Sequence, residues 1–234
     1  MEVKISIPRV RKSIPRVFKL PPGAPQRERK IYIETVITRR TQAERRDATT
    51  TQLVDAARTL FGRNGYAATS IEAIAAAAGM TKGAAYHHFT DKTALFRAVF
   101  VLEQQWMTGQ LDQAAAAAPD SWTALVSGCT TFLRRCLQPG FRRITLLDGP
   151  AVLGWDTVRE IESDHVLRVL AGGLAAAAAD GHLVEGDLTI RCQLLFGALC
   201  EGGMLLGRAE NPDHALDSVV FEATRLLGAL KADG

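Results

Sequence analysis

Between Thr69 and Lys92 the chain reads TSIEAIAAAAGMTKGAAYHHFTDK, and hydroxyls, two lysines, a tyrosine and paired histidines crowd into that one span. Donors and cations of this kind hold phosphate oxygens and base edges; by themselves they break no bonds. The spacing around them is helical. Thr69 followed by Glu72 is a capping-box pattern. Ile71, Ile74, Ala75 and Ala78 then share one face at helical intervals. Gly79 sits where a helix end favours positive φ, Thr81 can cap a second helix from Lys82 to His88, and Phe89 returns the chain to the core. Two short helices around a glycine turn form a helix-turn-helix if the second enters a major groove. If it does not, they are an ordinary helical hairpin, and spacing alone leaves both open.

No bond-breaking constellation competes with that reading. Cys129, Cys136, Cys192 and Cys200 form no C-x-x-C pair, and the histidines complete no zinc pattern. Each cysteine lies in an apolar helical context and reads as a reduced core residue, with thiol sensing as the alternative. No phosphate loop or metal motif is present, so neither a cofactor nor a metal is expected. An all-α, thiol-dependent enzyme is the remaining catalytic reading, and no nucleophile–base pair supports it.

The composition fits a packed chain: 47% of its 234 residues are hydrophobic, enough to bury a core in one large or two modest domains. No uninterrupted apolar run approaches the roughly 20 residues of a membrane span, and no secretory signal is apparent. A cytoplasmic protein without membrane partners is expected. Charge is uneven. Residues 1–40 carry 11 Lys/Arg against 3 Asp/Glu, residues 41–100 carry 7 against 5, and residues 101–234 carry 10 against 17. A basic front and an acidic back suit a nucleic-acid end joined to a body with another task.

The elements that must position the 69–92 stretch come before and after it. Residues 1–40 read as a basic, proline-containing extension with a seven-residue repeat, SIPRVRK then SIPRVFK. Its prolines, Pro8, Pro15, Pro21, Pro22 and Pro25, forbid a long helix. It is either a disordered basic arm or sequence upstream of a start at Val36. From Gln42 a helix is predicted, with Leu53, Ala57, Leu60 and Phe61 as its apolar stripe, ending at Gly62 to Gly65. It gives the two short helices a core to pack against.

Over residues 43–100 the chain resembles the N-terminal DNA-binding domain of the TetR (tetracycline-repressor) family of bacterial regulators. The resemblance rests on Phe61, Gly65, Thr69, Ile74-Ala75, Gly79, Lys82-Gly83, Tyr86, His88-Phe89 and Asp91-Lys92-Thr93-Ala94-Leu95. It implies an all-α fold of about nine helices: a three-helix helix-turn-helix domain over residues 41–95, then a ligand-binding and dimerisation domain over 96–234. It also implies a repressor that binds a palindromic double-stranded operator as a dimer and is released by a small molecule. A regulator or nucleoid-type protein without such a ligand is the alternative.

Beside that resemblance the residues have readable roles. Thr69, Ser70, Tyr86 and Lys92 are candidate phosphate contacts, the lysine together with helix N–H groups. Gly83 allows backbone to approach closely. Thr81, Lys82, Ala85 and His87 are candidate base readers, Ala85 through a thymine methyl. Asp91–Leu111 reads as one linking helix, Trp122–Leu137 as the next, and Asp156 to about Asp180 as another. Phe141–Trp155, FRRITLLDGPAVLGW, is irregular; it is similar to segments of some TetR-like C-terminal domains without indicating what it does. Polar or aromatic groups in apolar helices are the candidate ligand contacts: Trp122, Cys129, Phe132, Trp155, His165 and Glu201. Leu188–Leu206 is apolar nearly all round, and Leu216, Val219, Ala223, Leu226 and Leu230 repeat at heptad spacing. Helices 188–206 and 212–230 are therefore the expected homodimer surface.

Overall fold

A computed structural model describes the backbone of residues 26–232 and the side chains of residues 44 and 46–232. The repeat and the prolines of residues 1–25 lie outside the described residues. The chain divides into two compact units, Met1–Leu53 and Val54–Gly234. The described part of the first is helical backbone; the second holds every other element.

The elements run α1 (Gln26–Asn64), α2 (Ile71–Ala77), α3 (Lys82–His88), α4 (Lys92–Ala116), α5 (Ser121–Cys136), α6 (Pro139–Arg142), a π-helical turn (Arg143–Asp148), α7 (Gly149–Leu153), α8 (Trp155–Asp164), α9 (Val166–Ala179), α10 (Leu188–Arg208) and α11 (Pro212–Gly228). The described residues are thus all-α, with one isolated bridge between Leu183 and Lys231. Helix α1 corrects an expectation. It starts at Gln26, not Gln42, because every proline of the extension lies at Pro25 or before it, and beyond Pro25 each residue can donate its N–H.

Side-chain caps set most boundaries. Ser70 Oγ accepts from Ala73 N at 3.1 Å, Thr81 Oγ1 from Ala84 N at 3.2 Å, Asp91 Oδ1 from Ala94 N at 2.7 Å, and Asp120 Oδ1 from Thr123 N at 2.7 Å. The cap of α2 is therefore Ser70 and not Thr69, so the expected Thr69/Glu72 capping box does not form. Gly79, at φ +69°, closes α2: its N–H reaches Ala76 O and that of Met80 reaches Ala75 O, the Schellman arrangement.

Two departures from the expected helices have local causes. The helix predicted from Asp156 to Asp180 breaks at His165, whose ring Nδ1 lies 2.7 Å from Ile161 O. That carbonyl is the one its own N–H would use in an unbroken helix, and the N–H turns to Glu162 O instead. The irregular segment 141–155 becomes α6, the π-turn and α7. This is why there are eleven α-helical segments where about nine were expected. Gly149 permits the arrangement, since a Cβ there would stand 2.6 Å from Phe100 Cε2 and 3.0 Å from Ile144 O.

The main core lies among α4, α5, α9, α10 and α11, around Met107, Leu133, Cys136, Leu174, Leu206 and Leu227. Helix α11 turns differently from the heptad expectation. Leu227 is buried and Leu226 is exposed, while Leu216, Val219, Ala223 and Leu230 pack on the core. The seam therefore serves the interior of the chain, and the outward apolar residues are Phe221 and Leu226. Helix α10 is long and apolar enough, by length and composition alone, to cross a membrane, although Arg191, Glu201 and Arg208 interrupt its apolar run, as read from the sequence.

Gly149→Ala is expected to destabilise the fold by about 1–3 kcal/mol through overpacking against Phe100. Gly172→Ala, where an added Cβ meets nothing within 4 Å, should be neutral or stabilising. Chemical denaturation of both variants checks the contrast, and equal midpoints would contradict the packing role of Gly149.

Candidate nucleic-acid interface and interior cavity

The head containing α2 and α3 is built on three rings. Phe61 and Tyr66 stack at 5.7 Å, and Phe96 meets each edge-on at 5.2 Å. Lys92 locks this cluster to the loop before α2. Its Nζ donates to Tyr66 O at 2.9 Å and Thr69 O at 3.0 Å, and it lies 4.1 Å from the centroid of the Tyr66 ring. Tyr66 and Thr93 also share a hydroxyl–hydroxyl bond of 2.8 Å.

The candidate DNA contacts separate into two groups. Lys82, Gly83, Tyr86 and His87 are exposed and fall at helical spacing on one side of α3, with Thr81 exposed at its cap and Ser70 exposed at the start of α2. The Lys82 ammonium pairs with Glu72 of α2 and stands 5.9 Å from the Tyr86 ring centroid. That partner pulls the Glu72 carboxyl below its ordinary pKa and pushes the Lys82 amine above its own, so both stay charged. Three others face inward. Ala85 is 2% exposed and holds α3 against its own core, out of reach of a thymine methyl. Thr69 is buried, its hydroxyl donating to Gly65 O at 2.8 Å. Lys92 is committed to two carbonyls. These residues shape the reader; their side chains do not form its surface.

Two polar clamps tie the head to the body. In the first, Glu103 of α4, 2% exposed, accepts from Arg58 Nε at 2.6 Å and from Arg135 Nη2 at 3.1 Å. Arg135 in turn lies 3.9 Å from the Trp106 ring and 5.0 Å from that of Phe141. In the second, the π-turn grips the end of α1. Arg143 donates to Arg63 O, and Asp148 Oδ2 accepts from Tyr66 N at 2.8 Å. Of these residues the sequence singled out only Asp148 and Phe141, as candidate ligand contact and pocket wall and not as parts of a clamp. Glu103 was legible, since a carboxylate recurring on the Phe96–Phe100–Met107 face demands a cation. The partners of Arg143 and Asp148, about 80 positions away, left no local signal.

The body encloses a cavity of about 370 Å³ among α4, α5, α9 and α10. Of the candidate ligand residues, Cys129 and Phe132 line it. Trp122 is half-buried against the core beneath the Lys231 ammonium, 5.3 Å from its ring. The rest are corrections. Trp155 is 58% exposed, under Arg159 at 4.9 Å, because it begins α8 and faces away from the core. His165 spends its ring on Ile161 O. Glu201 lies on the outer side of α10, 3.3 Å from Arg208, which removes the need for a buried partner. The residues missed are small ones, Gly128, Gly172, Gly173 and Ala176, whose missing side chains leave the room. Burial pushes the Cys129 and Cys136 thiols up to about 12 and those of Cys192 and Cys200 upward as well, so thiolate chemistry gains no support.

With this geometry in place, comparison with known proteins is informative. Residues 53–99 match the family described as bacterial regulatory proteins, tetR family, and residues 122–230 match the tetracyclin repressor-like C-terminal domain. The TetC protein of transposon Tn10 from Escherichia coli is 30% identical over 160 residues, covering 67% of this chain and 79% of that protein. The crystal structure of a TetR-family transcriptional regulator from Pectobacterium atrosepticum superposes with a TM-score of 0.69 at 29% identity, covering 81% of this chain and 97% of that one. The regulator FadR from Bacillus subtilis, solved in complex with stearoyl-CoA, gives a TM-score of 0.63 over 74% of this chain and 96% of that one; its 20% identity bears on fold alone.

Two measurements probe this geometry. Asp148→Ala should speed hydrogen exchange at the Tyr66 amide by roughly tenfold or more, the loss of one charge-assisted bond. Unchanged protection would sink the second clamp. Burial also pushes the Glu162 carboxyl from 4.5 to about 7, against the pull of Arg159 at 3.1 Å. A carboxyl so raised binds its proton more tightly folded than unfolded, so its contribution to stability falls as pH rises from about 4.5 to about 7. Glu162→Gln should match the parent near pH 4.5 and exceed it above pH 7 by up to roughly 3 kcal/mol. Urea denaturation across that range checks it, and a pH-independent difference would refute it.

Proposed function

Because this chain belongs to the TetR family and is a DNA-binding transcriptional regulator, we propose that it acts as a homodimeric repressor, released from a near-palindromic operator by a small molecule held in the body. The working division is a reading head over residues 41–95 and a ligand-binding, dimerising body over 96–234. Each head lays α3 in a major groove, with Thr81, Lys82, Gly83, Tyr86 and His87 toward bases and phosphates and Ser70 on the backbone. Two copies related by a twofold axis read half-sites about one helical turn or slightly more apart. An operator lies in the cytoplasm, and the protein works there.

The dimer reading is supported by an outward stripe on α10, Ile190, Leu194 and Leu205, with Gly197 and Ala198 exposed between them. Phe221 and Leu226 of α11 extend it. A helix whose apolar residues face out as well as in needs a second surface to bury them.

The observation that carries ligand control is how near the cavity wall lies to both clamps. Phe132 lines the cavity and meets Phe141 edge-on at 6.3 Å. Phe141 lies against Arg135, which pairs with Glu103, and it stands at the head of the π-turn bearing Arg143 and Asp148. A ligand that displaces Phe132 therefore acts on both polar joints that hold the head. It shifts the operator equilibrium only by its differential affinity for the two head positions. That FadR was solved with stearoyl-CoA supports small-molecule control in this fold without identifying the effector here.

Operator fragments selected from the source genome allow the test. Tyr86→Ala is expected to weaken operator binding about tenfold or more while leaving the sedimentation of the dimer unchanged. Binding should fall with salt at a log–log slope of about −0.9 per phosphate contacted. An unaltered dissociation constant for the variant, or a flat salt dependence, would remove α3 from the interface.

A further inference from the structure

The chemistry of the cavity narrows what enters it. At about 370 Å³ it sits toward the small end of ligand sites, which span roughly 300–1,000 Å³. Its deep wall is hydrocarbon: Leu125, Phe132, Val166, Phe196 and Leu199. The space exists because α5 and α9 present Gly128, Gly172, Gly173 and Ala176 where larger residues would close it.

Polar groups are few and already engaged. Ser121 donates its hydroxyl to Asp180 Oδ2 at 2.6 Å. Arg168 donates from Nε to Asp164 O at 3.4 Å and is exposed, as is Asp112. The two charges are opposite in sign and both stand at the rim. The Cys129 thiol, with its pKa at about 12, is neutral. A carboxylate or ammonium carried inside would lose its hydration and meet no counter-ion, which costs several kcal/mol. An uncharged body loses nothing comparable, and a single neutral hydroxyl, carbonyl or ester taken inside forgoes far less hydration than an ion does.

We propose that the cavity selects an uncharged amphiphile, its aliphatic or aromatic body and its one neutral polar group both taken into the glycine-walled interior, and discriminates against the charged analogue of the same shape. This rests on the reading of the cavity as the effector site and specifies the class of effector. An acyl-CoA thioester, with its several phosphate charges, falls outside it.

The test uses the full chain and the neutral dye N-phenyl-1-naphthylamine, which brightens in apolar surroundings. The dye should bind, and 1-decanol should displace it at a concentration at least tenfold lower than decanoate or decylammonium. Gly172→Phe, at a position where a Cβ has open space, should abolish dye binding with helical circular dichroism and the dimer retained; Gly128→Leu, nearest Leu111 Cδ2 at 3.9 Å, is the second filling variant. Equal displacement by the charged analogues overturns the proposal, and so does absent dye binding or undiminished binding in both filling variants. Operator affinity is measured alongside. If dye and decanol obey the charge rule but leave operator binding untouched, the class of occupant stands and the effector reading falls.

Discussion

Glu103 is a carboxylate removed from water in the middle of α4, and the arrangement of the head on the body depends on what surrounds it. Two guanidiniums reach it, Arg58 from α1 and Arg135 from α5, so three helices share one charge. Such a group is expensive to bury and adds little net stability when satisfied. Losing both arginines, however, would leave an uncompensated buried charge, at a cost of about 3–5 kcal/mol. The interaction therefore works less as glue than as a constraint on geometry. Helix α1 can shift relative to α4 only as far as the bonds to Glu103 permit, and the Arg135 guanidinium is itself within 3.9 Å of the Trp106 ring and 5.0 Å of the Phe141 ring.

The second joint uses a different device with the same consequence. A π-helical turn is uncommon and widens the backbone locally. Here it projects Arg143 onto the last turn of α1 and Asp148 onto the loop just after it, one donating and one accepting. Gly149 lets that turn lie against Phe100 of α4. The irregular segment that seemed to interrupt the body thus becomes its contact with the reader. From Val54 onward the head lies in the same compact unit as the body, although the two match separate families of domain.

Within the head, polarity alone did not distinguish readers from supports. Lys92 and Tyr86 look equally suited to phosphate in the sequence. Lys92 has two carbonyls and a ring within reach and is consumed by them, whereas Tyr86 remains 45% exposed. Ala85 and Gly83 are both small, yet one is core and the other open surface. The cavity repeats the lesson in negative form. Of the six residues among which it was sought, Cys129 and Phe132 line it, while Trp155, His165 and Glu201 do not, and much of its room comes from the small residues of α5 and α9.

The sequence by itself determined the helical elements around residues 69–92, the glycine-closed turn between α2 and α3, the cap at Thr81, and through its resemblance the DNA-reading fold. These follow from interactions spanning a few residues: hydrogen bonds to nearby N–H groups, apolar periodicity, and glycine where φ is positive. Only the tertiary structure decided that Arg58 and Arg135 answer Glu103, that Asp148 serves the head and not the cavity, and that α11 turns Leu227 inward and Leu226 outward. Those outcomes depend on which distant surface arrives opposite a residue, and a one-position rotation of a helix is enough to exchange core for surface. The stretch from Thr69 to Lys92 was thus readable as two capped helices from its own residues and as a DNA-reading element only through the family resemblance, while the clamps that hold it were not readable.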